Sequence, residues 1–186
     1  MEDFIKLMDS AVGKYVCEDG GIYRGQCPQL MKWLVLVVGG YWVGRTGNGN
    51  QVLDTMCDNF DGYWGKPKYD YRMCSADNKY DKNGHCWIEV KIDGKWWRYE
   101  QNVNNSGANS ADFGCGKVYS VTKTDAALPS YLYNIKYAGH PSVDYYIKVY
   151  NEKPKPQPEP TPSEDMPDWF KKWANNLAEY IKSTTK

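Results

Sequence analysis

The dipeptide Asp93-Gly94 constrains this chain more than any other feature. It separates two runs in which apolar and polar residues alternate, one from Cys86 to Ile92 and one from Lys95 to Asn102. Asp-Gly between such runs predicts a two-residue type I′ hairpin, whose positive φ angles suit these residues and whose twist matches the flanking strands. A loop that short fixes the register. Ile92 pairs with Lys95, Val90 with Trp97, and Glu89 with Arg98, the last an expected ion pair. The same ladder, extended without a bulge, puts His85 opposite Asn102 and Glu100 opposite Trp87, diagonal to His85. Side chains alternate across a strand, so His85, Glu100 and Asn102 share one face. Ile88, Val90, Ile92, Trp97 and Tyr99 take the other, the expected core side.

Upstream, Phe4, Leu7, Met8, Ala11 and Val12 recur at helical spacing before Gly13. An acidic, glycine-rich loop from Cys17 to Gly25 follows. A second helix is predicted to start near Cys27, with Pro28 at a first-turn position where its missing N–H costs nothing. Leu30, Met31, Leu34, Val35 and Val38 give that helix a broad apolar face, and Gly39-Gly40 stops it. Residues 30–44 are the most apolar stretch but include Lys32 and are too short to span a bilayer, so they read as a buried helix. Residues 44–84, rich in Gly, Asn, Asp and Tyr, read as a long irregular segment. Further strands are expected at 117–122 and 145–150.

The chain carries 23 Lys and Arg against 23 Asp and Glu, a balance that argues against a nucleic-acid partner. The six cysteines, Cys17, Cys27, Cys57, Cys74, Cys86 and Cys115, include no CxxC pair, which argues against a structural zinc site. Their connectivity stays open. The acidic Met1-Glu2-Asp3 start and the amphipathic first segment do not read as a secretory signal, so synthesis in the cytoplasm is expected.

An imidazole beside a carboxylate or an amide is an oriented general base, and it needs a nucleophile. Cys27 is the candidate. At a helix N-terminus the dipole and the unpaired N–H groups favour thiolate over thiol. The same groups suit an oxyanion, and Gln26 adds a side-chain donor. Cys86 follows His85 directly, and alternation turns it to the core face, away from the groove. His140, before Pro141, reads as structural or exposed.

Gly25-Gln26-Cys27 ahead of an apolar helix, Gly84-His85 opening a strand and Glu100-Gln101-Asn102 closing the next resemble a CHAP domain, the cysteine, histidine-dependent amidohydrolase/peptidase family. Gly47-Asn48-Gly49-Asn50 is similar to that family's glycine-asparagine loop. The resemblance covers roughly residues 5–150. It implies an α+β, papain-like fold with N-terminal helices packed on an antiparallel β-sheet. It also implies a peptidoglycan hydrolase, either an N-acetylmuramoyl-L-alanine amidase or a stem or cross-bridge endopeptidase. Cys27 would form a thioester, His85 would be base and then acid, and Glu100 and Asn102 would orient His85. Some phage members bind calcium in the loop before the cysteine. Glu18 and Asp19 match in type, but Gln29 stands where those members carry an acid, so no cofactor is expected. Two other readings compete: a papain-like protease acting on protein, and a wall-binding module that no longer cuts.

The domain is expected over residues 1–151, followed by a linker at 152–166 and an amphipathic helix at 167–186. Pro154, Pro156, Pro158, Pro160 and Pro162 make the linker a semi-rigid spacer, at about 3.1 Å per residue. Trp169, Trp173, Leu177, Tyr180 and Ile181 fall on one face of the terminal helix, which reads as a docking or oligomerisation element for a partner subunit, a virion or a second copy. The combined expectation is a phage lysin or virion-associated lysin that reaches the bacterial wall through a holin or as part of the particle.

Overall fold

The computed structural model describes residues 1–16, 26–102 and 120–151. Within them the order of elements is α1 (Glu2–Ala11), α2 (Cys27–Val37), α3 (Val52–Asn59), β1 (Tyr63–Trp64), β2 (Tyr71–Asn78), β3 (Asp81–Ile92), β4 (Lys95–Glu100), β5 (Thr122–Asp125), β6 (Leu132–Gly139) and α4 (Pro141–Asn151). The strands form one antiparallel sheet in the order β1-β6-β2-β3-β4-β5, so the fold is α+β. Glu18, Asp19, Cys17, Cys115, the proline-rich linker and the terminal helix lie outside the described residues. No helix among the described residues is long and apolar enough to cross a membrane.

The hairpin forms as the turn dictates. Asp93 and Gly94 have φ of 51° and 80°, and the ladder runs from Ile92↔Lys95 to Ile88↔Tyr99. Cys86, Ile88, Val90 and Tyr99 face the main core, where they meet Phe4 and Met8 of α1, Leu30, Met31, Leu34 and Val35 of α2 and Ile147 of α4. Each such fully buried apolar side chain contributes about 1.5–3 kcal/mol. The acidic first turn of α1 complements its dipole. Pro28 sits in the first turn of α2, as its fixed φ favours. After α2, Gly39 takes φ 86° and the Gly40 N–H caps back to the Val35 carbonyl.

The opposite face of the sheet is also covered. Cys74, Ala76, Trp87 and Leu132 form a second, smaller cluster there. On this face the expected Glu89–Arg98 ion pair is replaced. The two residues are opposite in register, but the Glu89 carboxylate accepts from Arg72 and from Trp87 Nε1, while Arg98 turns to Glu100 and the Ala127 carbonyl.

Three segments differ from expectation. Residues 44–84 hold α3, β1, β2 and the start of β3 rather than an irregular segment. α3 is only eight residues long and offers just Val52, Leu53 and Met56 to the core, too short a periodic signal to stand out. β2 is buried on both faces, so it shows no alternation. Residues 145–150 lie in α4 rather than a strand. Their β-branched and aromatic composition suggests strand, yet Val143, Tyr146 and Ile147 are the buried positions, which is helical spacing. Of the strand expected at 117–122, residues 117–119 lie outside the described set; of the rest, Val121 makes an isolated parallel bridge to Val12 and Thr122 opens β5.

Two glycines separate backbone strain from steric exclusion. A Cβ on Gly94 meets nothing within 4 Å, so Gly94→Ala should cost only the left-handed backbone penalty, about 1 kcal/mol. At Gly84 (φ 67°) a Cβ falls 2.4 Å from the Ala76 carbonyl oxygen and 2.5 Å from Asn50 Cβ. Gly84→Ala should therefore cost roughly 3 kcal/mol in urea unfolding at unchanged slope. Equal losses at the two positions would contradict this assignment.

Candidate active site

The site is built where β4 stops. Glu100 is its last residue and pairs outward with Thr122 on β5. The chain then turns away, with Asn102 in the left-handed region at φ 58°. The N-terminus of α2 docks on this turn. Gln101, fully buried, is the clamp: its Oε1 accepts from the Val16 N–H at 2.8 Å, and its Nε2 donates to the Val16 and Gln26 carbonyls, each at 3.0 Å. Asn102 Nδ2 donates to Gln26 Oε1 at 2.8 Å. Both the main chain and the side chain of the residue before Cys27 are thereby held.

This docking sets the start of α2, and Cys27 with it, against β3, where His85 and Cys86 act on the ionisation of its thiol. His85 Nε2 faces Glu100 Oε2 at 3.0 Å, which leaves Nδ1 for the sulfur. Cys27, His85 and Glu100 thus form one connected chain, as the hairpin register predicts for the last two. Asn102 does not join it. The unbroken ladder expected to set Asn102 opposite His85 ends at Tyr99, and the Asn102 amide orients Gln26 rather than the imidazole.

Cys86 also departs from expectation. It does face the core, but that core also contains Cys27, and Cys86 is among the groups that act on the Cys27 thiol. The electrostatics follow. The Cys27 pKa is held well below the ordinary thiol value, first by the hydrogen bond from the Cys86 side chain and then by the charge and hydrogen bond of His85, against the cost of burial. Cys86 is pushed up by burial and by its bond to Cys27, which keeps it a neutral donor. For His85, burial alone would lower the pKa. The charge and hydrogen bond of Cys27, joined by those of Glu100, outweigh it and raise the ring to about 10. Both shifts run in the direction that favours a thiolate beside an imidazolium.

Sequence reasoning missed several supports. Arg98 Nη1 lies 3.6 Å from the same Glu100 oxygen that takes His85, so that carboxylate is shared between two cations. The Trp87 ring stacks on His85 at 6.0 Å and 17°. Strand alternation alone places Trp87 and Arg98 on the His85 face, and that signal was available. Nothing in the pattern marked Gln101. The Gly47-Asn48-Gly49-Asn50 segment packs behind His85: a Cβ on Gly49 would lie 2.8 Å from His85 Cα, and the Asn50 N–H donates to the Asn83 carbonyl. Asn50 Nδ2 also ties to Asp77 at 3.0 Å. His140 is buried and structural, its Nε2 bonded to the Phe60 carbonyl at 2.8 Å and its Nδ1 accepting from the Ser142 N–H.

Among the described residues no group of three or more His, Cys, Asp or Glu side chains is arranged to hold a metal ion. Cys27, Cys57, Cys74 and Cys86 are free thiols. No protein-family model, no curated protein and no solved structure matches the chain. What the site does is argued from its own geometry.

Two measurements probe it. Alkylation of Cys27 by iodoacetamide should proceed well below pH 9, because the thiolate appears as pH rises through the depressed Cys27 pKa and persists thereafter. An inflection at the ordinary thiol value would refute the ion pair. Glu100→Gln removes a charge that raises the His85 pKa while keeping an amide oxygen that can accept, so its titration should move down from about 10, tracked in the ring NMR signals against those of buried His140.

Proposed function

We propose that this chain is a CHAP-like cysteine amidohydrolase, with a papain-like arrangement of helix-borne cysteine and strand-borne histidine, that cuts amide bonds of bacterial peptidoglycan. The observation that carries the reading is the connected Cys27–His85–Glu100 chain at a helix N-terminus. A thiolate paired with an imidazolium is the state from which an amide carbonyl is attacked.

In this reading Cys27 Sγ adds to the scissile carbonyl. The tetrahedral oxyanion forms next to the first turn of α2. There Pro28 has no N–H and the Gln29 N–H is already given to the Gln26 carbonyl, which narrows the donors to the Cys27 N–H and the Gln26 side chain. The imidazolium of His85 donates its proton to the leaving amine, and a thioester remains. His85, now neutral, takes a proton from water, whose oxygen releases the acyl group and regenerates Cys27. Glu100 keeps the ring oriented and balances its charge, while Asn102 acts through Gln26 rather than on the ring. No step calls for a metal.

The wall as substrate, and delivery as a phage or virion-associated lysin, rest on the resemblance carried by Gly25-Gln26-Cys27, Gly84-His85 and Glu100-Gln101-Asn102. Clearing of purified wall suspensions, run beside casein digestion, tests it. Wild-type protein should clear walls and leave casein intact, and Cys27→Ala should lower the rate by roughly 10⁴-fold or more. New N-terminal alanine on peptides freed from muramic acid would mark an amidase, and new termini within the stem or cross-bridge an endopeptidase. Casein digestion without wall clearing would transfer the mechanism to a protein substrate, and clearing by Cys27→Ala at the wild-type rate would remove the mechanism altogether.

A further inference from the structure

Arg98 is a costly residue to bury where it stands. Its side chain is shut away on the covered face of the sheet, and its Nε has no acceptor among the described residues. For stability alone, an apolar side chain of similar length often serves as well as a buried, incompletely paired charge. Glu89, its partner in register, does not compensate it, being bound by Arg72 and by Trp87 Nε1. What Arg98 does reach is the carboxylate that orients His85. Its Nη1 lies 3.6 Å from Glu100 Oε2, the atom that faces His85 Nε2 at 3.0 Å. Two further contacts aim it there. Nη2 donates to the Ala127 carbonyl, and the guanidinium carbon sits 5.5 Å from the centroid of the Trp87 ring that stacks on His85.

We propose that Arg98 is a positioning residue that acts on His85 through Glu100, giving the carboxylate a permanent counter-charge so that the imidazole can release its proton and stay in place. The inference rests on the reading of His85 as acid and base in amide cleavage. In that cycle the ring is charged until the leaving amine takes its proton, and neutral until water supplies another. Glu100 is buried, and were His85 its only cation it would stand uncompensated whenever the ring is neutral. The ring would then hold its proton, and both protonation of the amine and activation of water would slow. A guanidinium carries its charge in both halves of the cycle. The other ionisable groups around the carboxylate cannot take this part. Cys27 on α2 and Cys86 on β3 are neutral or negative, and the phenol of Tyr131 ahead of β6, which feels both Glu100 and Arg98, is neutral. Asp125 on β5 also feels Arg98 but is tied to Lys95 at 2.7 Å.

The test uses the full-length chain in a Cys27→Ala background, which removes the pull of the sulfur on the ring. The chain has two histidines, and His140, fixed by the Phe60 carbonyl, is the internal reference for the ring nitrogen NMR signals. Arg98→Met keeps a side chain beside Trp87 without the charge. It should raise the His85 midpoint by about one unit or more, and Arg98→Lys should return most of the shift. With Cys27 in place, Arg98→Met should clear walls roughly tenfold more slowly at neutral pH, the deficit shrinking as pH rises past the raised midpoint. A merely structural loss would lower clearing at every pH alike. An unmoved His85 midpoint in Arg98→Met, or a deficit independent of pH, overturns the proposal even where wild-type clearing upholds the hydrolase reading. If the midpoint moves in a protein whose wild type clears no walls, the coupling through Glu100 stands and the hydrolase reading falls. Should Arg98→Met not fold, the Cys27→Ala protein decides alone. Its Glu100 carboxyl carbon signal should remain that of a carboxylate on both sides of the His85 midpoint, and a proton on Glu100 below that midpoint overturns the proposal.

Discussion

The buried imidazole of His85, held by Glu100 at the start of the Cys27 helix, sets the terms for this structure. A charge on the ring or on the Cys27 sulfur alone would be expensive in a poorly solvated interior, at several kcal/mol of desolvation. Here each is compensated in turn. Cys86 and His85 act on the Cys27 thiol, His85 Nε2 meets Glu100, and Arg98 approaches the same carboxylate oxygen. The charges alternate along the chain of contacts, so no member is left unpaired, and that is the condition under which a buried polar network is stable and specific. The Cys27 pKa is lowered because the fold supplies these neighbours together.

Supplying them depends on a backbone event, the departure of the chain from the sheet after Glu100. Had β4 continued beside β3, the space next to His85 would have been filled by a strand. Instead the Gln101 amide closes on Val16 and Gln26, and the start of α2 takes that place. Cys27 is thereby brought to β3, where His85 and Cys86, successive residues on opposite faces, both act on its thiol. The floor under the ring is stiff. Trp87 stacks on it, and Glu89 is gripped by Trp87 and by Arg72, itself held over the Trp96 and Tyr137 rings at 4.4 and 4.8 Å. Cation–aromatic stacking of a partly buried Arg is worth about 1 kcal/mol, which helps explain how a charged layer persists on a covered face.

Much of this was legible in the residues, for local reasons. Asp93-Gly94 set a register that held for every pair from Ile92↔Lys95 to Ile88↔Tyr99. Pro28 and the apolar face beyond it marked the helix start that carries Cys27. Failures came where a local signal was short or two-faced. α3 is too brief to show a period, β2 is buried on both sides, and α4 has strand-like composition under a helical burial pattern. Asn102 was misassigned because extrapolating a ladder assumes that the strand goes on. The Glu89–Arg98 pair was misassigned because residues opposite in register still compete with every other charge on their face, and Arg72 won.

By itself the sequence determined the hairpin, the position of a thiol at a helix start, and the sharing of one face by His85 and Glu100. Each follows from φ preferences, capping or side-chain alternation, which act over a few residues. Only the tertiary structure decided that Gln101 holds the junction, that Asn102 serves Gln26, and which groups act on the Cys27 thiol. Those contacts join segments some 60 to 85 residues apart. No local propensity encodes them, because they form only when helix and sheet bury their apolar faces against each other.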